Sequence, residues 1–81
     1  MDVRNIHIAY FIGIGGIGMS ALARYFNMNG VQVSGYDKTS TPLTRSLEAE
    51  GISVHYSADE NAIPANADIV VYTPAVPSDF E

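Results

Sequence analysis

The sequence predicts an α/β domain, a parallel sheet with flanking helices, on three observations. A nearly continuous apolar run, Ile6-His7-Ile8-Ala9-Tyr10-Phe11-Ile12, leads directly into Gly13-Ile14-Gly15-Gly16-Ile17-Gly18. That second stretch has the form G-x-G-x-x-G with a further glycine inside it, at a strand-to-helix junction. Beyond it, the spacing of apolar residues switches between the strand and helix periods, with glycine or proline near the switches.

Each element can be justified in turn. His7 is the only polar residue of 6–12, so this strand is expected to be covered on both faces, as in a parallel sheet. From Ile17 to Asn29, Met19, Leu22, Ala23 and Phe26 recur at i, i+3, i+4 and i+7, giving one apolar helical face that Gly30 is placed to end. Val31 to Tyr36 partly alternates and predicts a second strand closing at Asp37. Thr39-Ser40-Thr41-Pro42 supplies a hydroxyl N-cap and a proline at the first helical position. Leu43 and Leu47 give that second helix a narrow apolar stripe, and Gly51 its stop. Ile52 to Tyr56 predicts a third strand, and Asp59 to Ile63 one or two helical turns before Pro64. Ala67 to Tyr72 predicts a fourth strand, ended by Thr73-Pro74. Met19, Met28 and the Tyr and Phe positions are expected in the core. This order is the first half of a doubly wound, Rossmann-like fold. Residues 1–81 read as one such unit, the N-terminal part of something longer, since the architecture ordinarily continues into another crossover helix.

Composition narrows the partners. Hydrophobic residues make up 47% and charged residues 16% of the 81, an ordinary globular balance. The net charge of −5, with cations scattered at Arg4, Arg24, Lys38 and Arg45, argues against nucleic acid and anionic membrane surfaces. No apolar run approaches the ~20 residues needed to span a bilayer, and there is no basic-then-apolar leader. A chain without cysteine has no disulfide framework and no thiolate metal site. Cytoplasmic location is the default expectation.

The glycine run carries the chemistry. Gly13 lets the chain leave a strand sharply, Gly15 removes a Cβ so that a diphosphate can approach, and Gly18 is expected to let the helix pack closely on the sheet. Free N–H groups and the positive dipole end of the helix would then face the anion. Tight packing without a ligand is the competing role. Asp37 lies 19 residues beyond Gly18, near the spacing at which an acidic residue reaches a ribose hydroxyl. Contact with a base and a purely solvated role stay open beside it. Lys38 would neutralise a phosphate or remain solvated. Ser20 would donate to a phosphate oxygen or to its own helix backbone. Thr73, Pro74, Ala75 and Val76, after the fourth strand, are brought to the same crevice by topology.

Asp59-Glu60 reads as a solvated surface pair, His7 as a core or edge residue, and His55 has no assigned role. There is no G-x-x-x-x-G-K-[ST] loop, no nucleophile–base pair and no metal-ligand cluster. The residues thus describe a nucleotide-type binding module without catalytic residues. An NAD(H)-binding domain of a dehydrogenase, or a nucleotide-sensing module, fits the same turn and the same Asp37.

The run from Tyr10 to Ala23, containing Gly-Ile-Gly-Gly-Ile-Gly-Met-Ser, resembles the opening of the Mur ligases, and that octapeptide is far more specific than a bare G-x-G-x-x-G. Val33-Ser34-Gly35-Tyr36-Asp37 and Val70-Val71-Tyr72-Thr73-Pro74-Ala75-Val76 are similar to the second and fourth strands of that family. The resemblance implies a three-domain enzyme whose N-terminal Rossmann-like domain holds a UDP-sugar, followed by an ATPase domain and a C-terminal domain. Among its members, this chain looks most like the one joining L-alanine to UDP-N-acetylmuramate with ATP and Mg²⁺, through an acyl phosphate, in peptidoglycan synthesis. By position, Gly15, Gly16, Ile17 and Gly18 would cradle the diphosphate, while Asp37, Lys38 and Thr73 to Val76 would flank the uridine. The ATPase and C-terminal domains are not in these 81 residues, so the chain alone is expected to be inactive. Thr-Pro-Ala-Val stands where many members have Ser-Ser-Ala-Ile, which loosens side-chain assignments in that loop.

Overall fold

A computed structural model describes residues 5–57 and 60–72 of the chain. The elements are β1 (Ile8–Ile12), α1 (Ile17–Met28), β2 (Gln32–Tyr36), α2 (Pro42–Ala49), β3 (Ser53–His55), a 3₁₀ turn (Glu60–Ala62) and β4 (Ile69–Tyr72). The four strands form one parallel sheet in the order β3-β2-β1-β4, so the order reverses between β1 and β4. In register, Ile12 lies opposite both Tyr36 and Tyr72, and Tyr36 opposite His55, so the carboxyl ends of the strands are level.

Alternation along the strands divides the core in two. Ala9 and Phe11 of β1 and Val33 of β2 face the helices, where they meet Ala23, Phe26 and Leu47. The rings of Phe11 and Phe26 lie 5.7 Å apart at 60°, a tilted pair. Tyr10 and Tyr36 occupy the opposite face, with Ile12 and Ile63 against them. The apolar run of β1 is therefore packed on both sides, as its composition requires.

Both helices end in the same way. The N–H of Gly30 bonds the Asn27 carbonyl and that of Val31 bonds Phe26, while Gly51 bonds Glu48 and Ile52 bonds Leu47. These are Schellman caps, with Gly30 at φ +84° and Gly51 at φ +95°. Val31 and Ile52 are buried by the caps, which explains why β2 and β3 begin one residue later than their apolar patterns suggest. Helix α2 starts as the sequence predicts, with Thr41 as N-cap and Pro42 in the first turn. Its buried residues, however, are Thr44 and Leu47, and Leu43 is only half-buried.

Three aromatic or methionine positions expected in the core are not there. Tyr25, Met28 and Tyr72 are exposed, the first two because they fall off the Met19–Ala23–Phe26 face of α1. At the foot of the sheet, β4 starts late because Asp68 turns its carboxylate onto β1. Asp68 Oδ2 accepts from the N–H groups of His7 (2.8 Å) and Ile8 (2.9 Å), and His7 itself is exposed.

The most constrained glycine is one that the sequence pattern does not flag. A Cβ on Gly35 would lie 2.6 Å from the Phe11 carbonyl oxygen and 2.7 Å from Ile14 Cδ1. Gly35→Ala should therefore lower the stability by about 1–3 kcal/mol through overpacking, read from the urea midpoint. Gly18→Ala, which meets nothing within 4 Å, should instead raise it by about 0.5 kcal/mol through helix propensity.

The two amide hydrogen bonds hold the Asp68 carboxyl below its ordinary value of 3.8. Its contribution to stability is present above that value and is lost as pH falls through the depressed one. Asp68→Asn should thus be less stable than the parent at neutral pH. Thermal midpoints of the two should converge as pH falls below the depressed value.

Candidate functional site

The turn after β1 is built against the end of β2. Gly13, at φ +86°, reverses the chain in a conformation that suits glycine. Its N–H and that of Ile14 both bond the Tyr36 carbonyl, at 2.8 and 3.0 Å. The Ile14 side chain is then fully buried over Gly35. The Gly16 N–H bonds the Gly13 carbonyl at 3.1 Å, and the Gly16 carbonyl accepts from Ser20 at 2.7 Å, closing the first helical bond of α1. Gly16 is the N-cap, with no side-chain capping hydrogen bond.

This arrangement redistributes the expected glycine roles. The Gly15 N–H is engaged by Asp37 Oδ2 at 2.7 Å. A Cβ on Gly15 would lie 2.7 Å from that oxygen and 2.8 Å from Thr44 Cγ2, so Gly15 is the close-packed glycine of the turn. Gly18, expected to pack the helix on the sheet, faces open space instead. Helix geometry leaves the N–H groups of Ile17, Gly18 and Met19 without an intrahelical carbonyl. Gly16, Ile17 and Gly18 are all exposed at this helix start. An anion at the positive end of α1 would meet these three amides rather than that of Gly15.

The remaining candidates separate by position. Asp37 is half-buried at the end of β2, and its Oδ1 also accepts from the N–H of Thr39 at 3.3 Å. Lys38 beside it is exposed. The Ser20 hydroxyl is buried and donates to the Ile17 carbonyl at 3.0 Å, within its own helix. Thr73, Pro74, Ala75 and Val76 lie outside the described residues, as does Asp59, while Glu60 opens the 3₁₀ turn. The crevice outside the strand ends at β1 and β4, where the strand order reverses, is the position at which open parallel sheets bind ligands.

Two neighbours of the turn carry structure that sequence reading passed over. Thr44 is fully buried; its Oγ1 accepts from the Thr41 N–H (2.8 Å) and the Tyr56 hydroxyl (3.0 Å) and donates to the Thr41 carbonyl (3.0 Å). The signal was available, because a threonine three residues after a threonine N-cap makes a reciprocal capping box. His55 packs between Tyr10 and Tyr36. Its Nδ1 donates to the Ser57 carbonyl at 2.9 Å, and its Nε2 shares a hydrogen bond with the Tyr10 hydroxyl.

Fold and turn together define a Rossmann-like α/β unit with a glycine-rich turn at its switch point. A sequence profile of the Mur ligase family, catalytic domain, matches residues 8–81. The UDP-N-acetylmuramate–L-alanine ligase of Cytophaga hutchinsonii is 52% identical over 98% of this chain and 18% of its own length. That of Christiangramia forsetii is 55% identical over 99% of this chain and 19% of its own. Among solved structures, UDP-N-acetylmuramate–alanine ligase MurC from Thermotoga maritima matches with a TM-score of 0.80 at 37% identity, over 93% of this chain and 17% of that one. The chain belongs to the Mur ligase family. It spans about a fifth of the length of these curated relatives.

Replacing Thr44 by Val keeps the shape but leaves the Thr41 N–H without its acceptor beside the turn. The expected cost is about 1–2 kcal/mol, measured as a lower urea midpoint, with Thr44→Ser recovering much of it.

Proposed function

We propose that residues 1–81 form the nucleotide-sugar-binding domain at the N-terminus of a ligase that joins L-alanine to UDP-N-acetylmuramate in peptidoglycan biosynthesis. The observation that carries this reading is the identity of 52–55% to ligases of that name over nearly all of the chain. The exposed start of α1 at the sheet's switch point supports it, since that is where a diphosphate can be held by backbone N–H groups. The amides of Ile17, Gly18 and Met19 take the diphosphate, and the loop containing Asp37 and Lys38, with Thr73 to Val76, flanks the uridine. Amide recognition suits a chain of net charge −5, because it requires no cluster of cations.

The domain binds and orients one substrate; the bond-forming steps belong to the rest of the enzyme. ATP and Mg²⁺ do not fit these residues. The sequence has no G-x-x-x-x-G-K-[ST] loop, and the described residues hold no group of three or more Asp, Glu, His or Cys arranged for a metal ion. Among the described residues, no helix is long and apolar enough to cross a membrane. The reading places the enzyme in the cytoplasm, acting on a soluble nucleotide precursor, with consequences for cell shape and division.

The test is a titration of the ¹⁵N-labelled chain with UDP, UDP-N-acetylmuramate and NAD. Shifts at Ile17, Gly18 and Met19 are expected with both uridine ligands, at concentrations where NAD has little effect. Unmoved amides at saturating UDP, or preferential binding of NAD, would overturn the reading in favour of a packing turn or a dinucleotide site.

A further inference from the structure

Gly15 and Gly16 are consecutive residues without side chains, so the peptides around them are fixed only by hydrogen bonds. Two bonds lie within the turn and α1, from the Gly16 N–H to the Gly13 carbonyl at 3.1 Å and from the Ser20 N–H to the Gly16 carbonyl at 2.7 Å. A third comes from outside, where Asp37 Oδ2 accepts the Gly15 N–H at 2.7 Å. The carboxylate is itself oriented by its own loop, because Oδ1 accepts from the Thr39 N–H at 3.3 Å and the Asp37 N–H bonds the His55 carbonyl at 3.1 Å. Thr44 closes the other side of Gly15, with Cγ2 only 2.8 Å from where a Cβ would sit.

We infer that Asp37 is a positioning residue for the diphosphate: by capturing the Gly15 N–H it sets the turn so that the amides of Ile17, Gly18 and Met19 open toward the ligand. This rests on the reading that the start of α1 holds a diphosphate. It differs from a role confined to ribose or base, because the carboxylate acts here through the turn and on the anion. The two roles predict opposite signs for a ligand that has neither ribose nor base. Deleting a carboxylate near a bound anion removes a repulsion and by itself tightens binding. Deleting the acceptor that fixes Gly15 lets the turn lose its shape and weakens binding.

Inorganic pyrophosphate is the probe, titrated into the ¹⁵N-labelled 81-residue chain and its variants. Asp37→Ala should weaken pyrophosphate binding roughly tenfold and speed hydrogen exchange at the Gly15 amide. Asp37→Asn keeps a carbonyl oxygen for the Gly15 N–H and loses the charge, so it should bind at least as tightly as the parent with Gly15 still protected. Asp37→Glu keeps the charge but displaces the acceptor by a methylene group; it should weaken binding, and it decides the matter if the alanine variant does not fold. Asp37→Ala or Asp37→Glu binding as tightly as the parent overturns the positioning role alone, as does an asparagine variant as weak as the alanine one. A parent chain whose Ile17 to Met19 amides respond to neither pyrophosphate nor UDP overturns the diphosphate reading and this inference together.

Discussion

The carbonyl of Tyr36 accepts two amide protons from the turn that follows a neighbouring strand, and the geometry of the site depends on that acceptor. It fixes Gly13 and Ile14 over the end of β2 and brings the Ile14 side chain down onto Gly35. There the missing Cβ leaves room that the Phe11 carbonyl and Ile14 would otherwise contest. The next residue along β2, Asp37, then takes the Gly15 N–H. Turn and strand end are thus one unit, and the start of α1 inherits its direction from β2 as much as from β1. A phosphate site made of peptide N–H groups needs such support, since backbone donors bind well only when they are already aimed.

Much of this fold was legible in the sequence because its signals are local. The apolar run of β1, the four-residue stripe of α1, the Thr41-Pro42 start and the stops at Gly30 and Gly51 each depend on neighbours close along the chain. The glycine turn and its place at a strand–helix junction were readable for the same reason. What a missing Cβ would touch is another matter. Gly15, Gly18 and Gly35 look alike in sequence, but only the packing shows that Gly15 abuts Asp37 and Thr44, that Gly35 lies under Ile14, and that Gly18 abuts nothing. Asp37 was readable as the residue that closes β2, whereas its bond to Gly15 arises from two strands meeting in register. The exposure of Tyr25 and Met28 was within reach, since both fall outside the stripe that identifies the helix.

The second face of the sheet shows a different use of polar groups. Tyr10, Tyr36 and His55 pack together from three adjacent strands, and the imidazole satisfies a tyrosine hydroxyl and a backbone carbonyl at once. Aromatic burial supplies apolar area while both ring nitrogens find partners, which is the condition for placing a histidine beside a fully buried tyrosine. Between the two helices, Arg24 makes a contact of another kind, bonding Glu50 through Nε and Ser46 through Nη2 at the surface. That guanidinium holds the Glu50 carboxyl below its usual value, although the pair is too exposed to weigh much in stability.

The paired caps at Gly30 and Gly51 tie each helix's phase to the strand that follows it. Because Val31 is anchored to Phe26 and Ile52 to Leu47, the rotational setting of α1 and α2 dictates which side of β2 and β3 looks inward. An insertion of a single residue just after either glycine would turn the following strand over, exchanging its inward and outward side chains. In β2 that would take Gly35 out from beneath Ile14 and put Ser34 there.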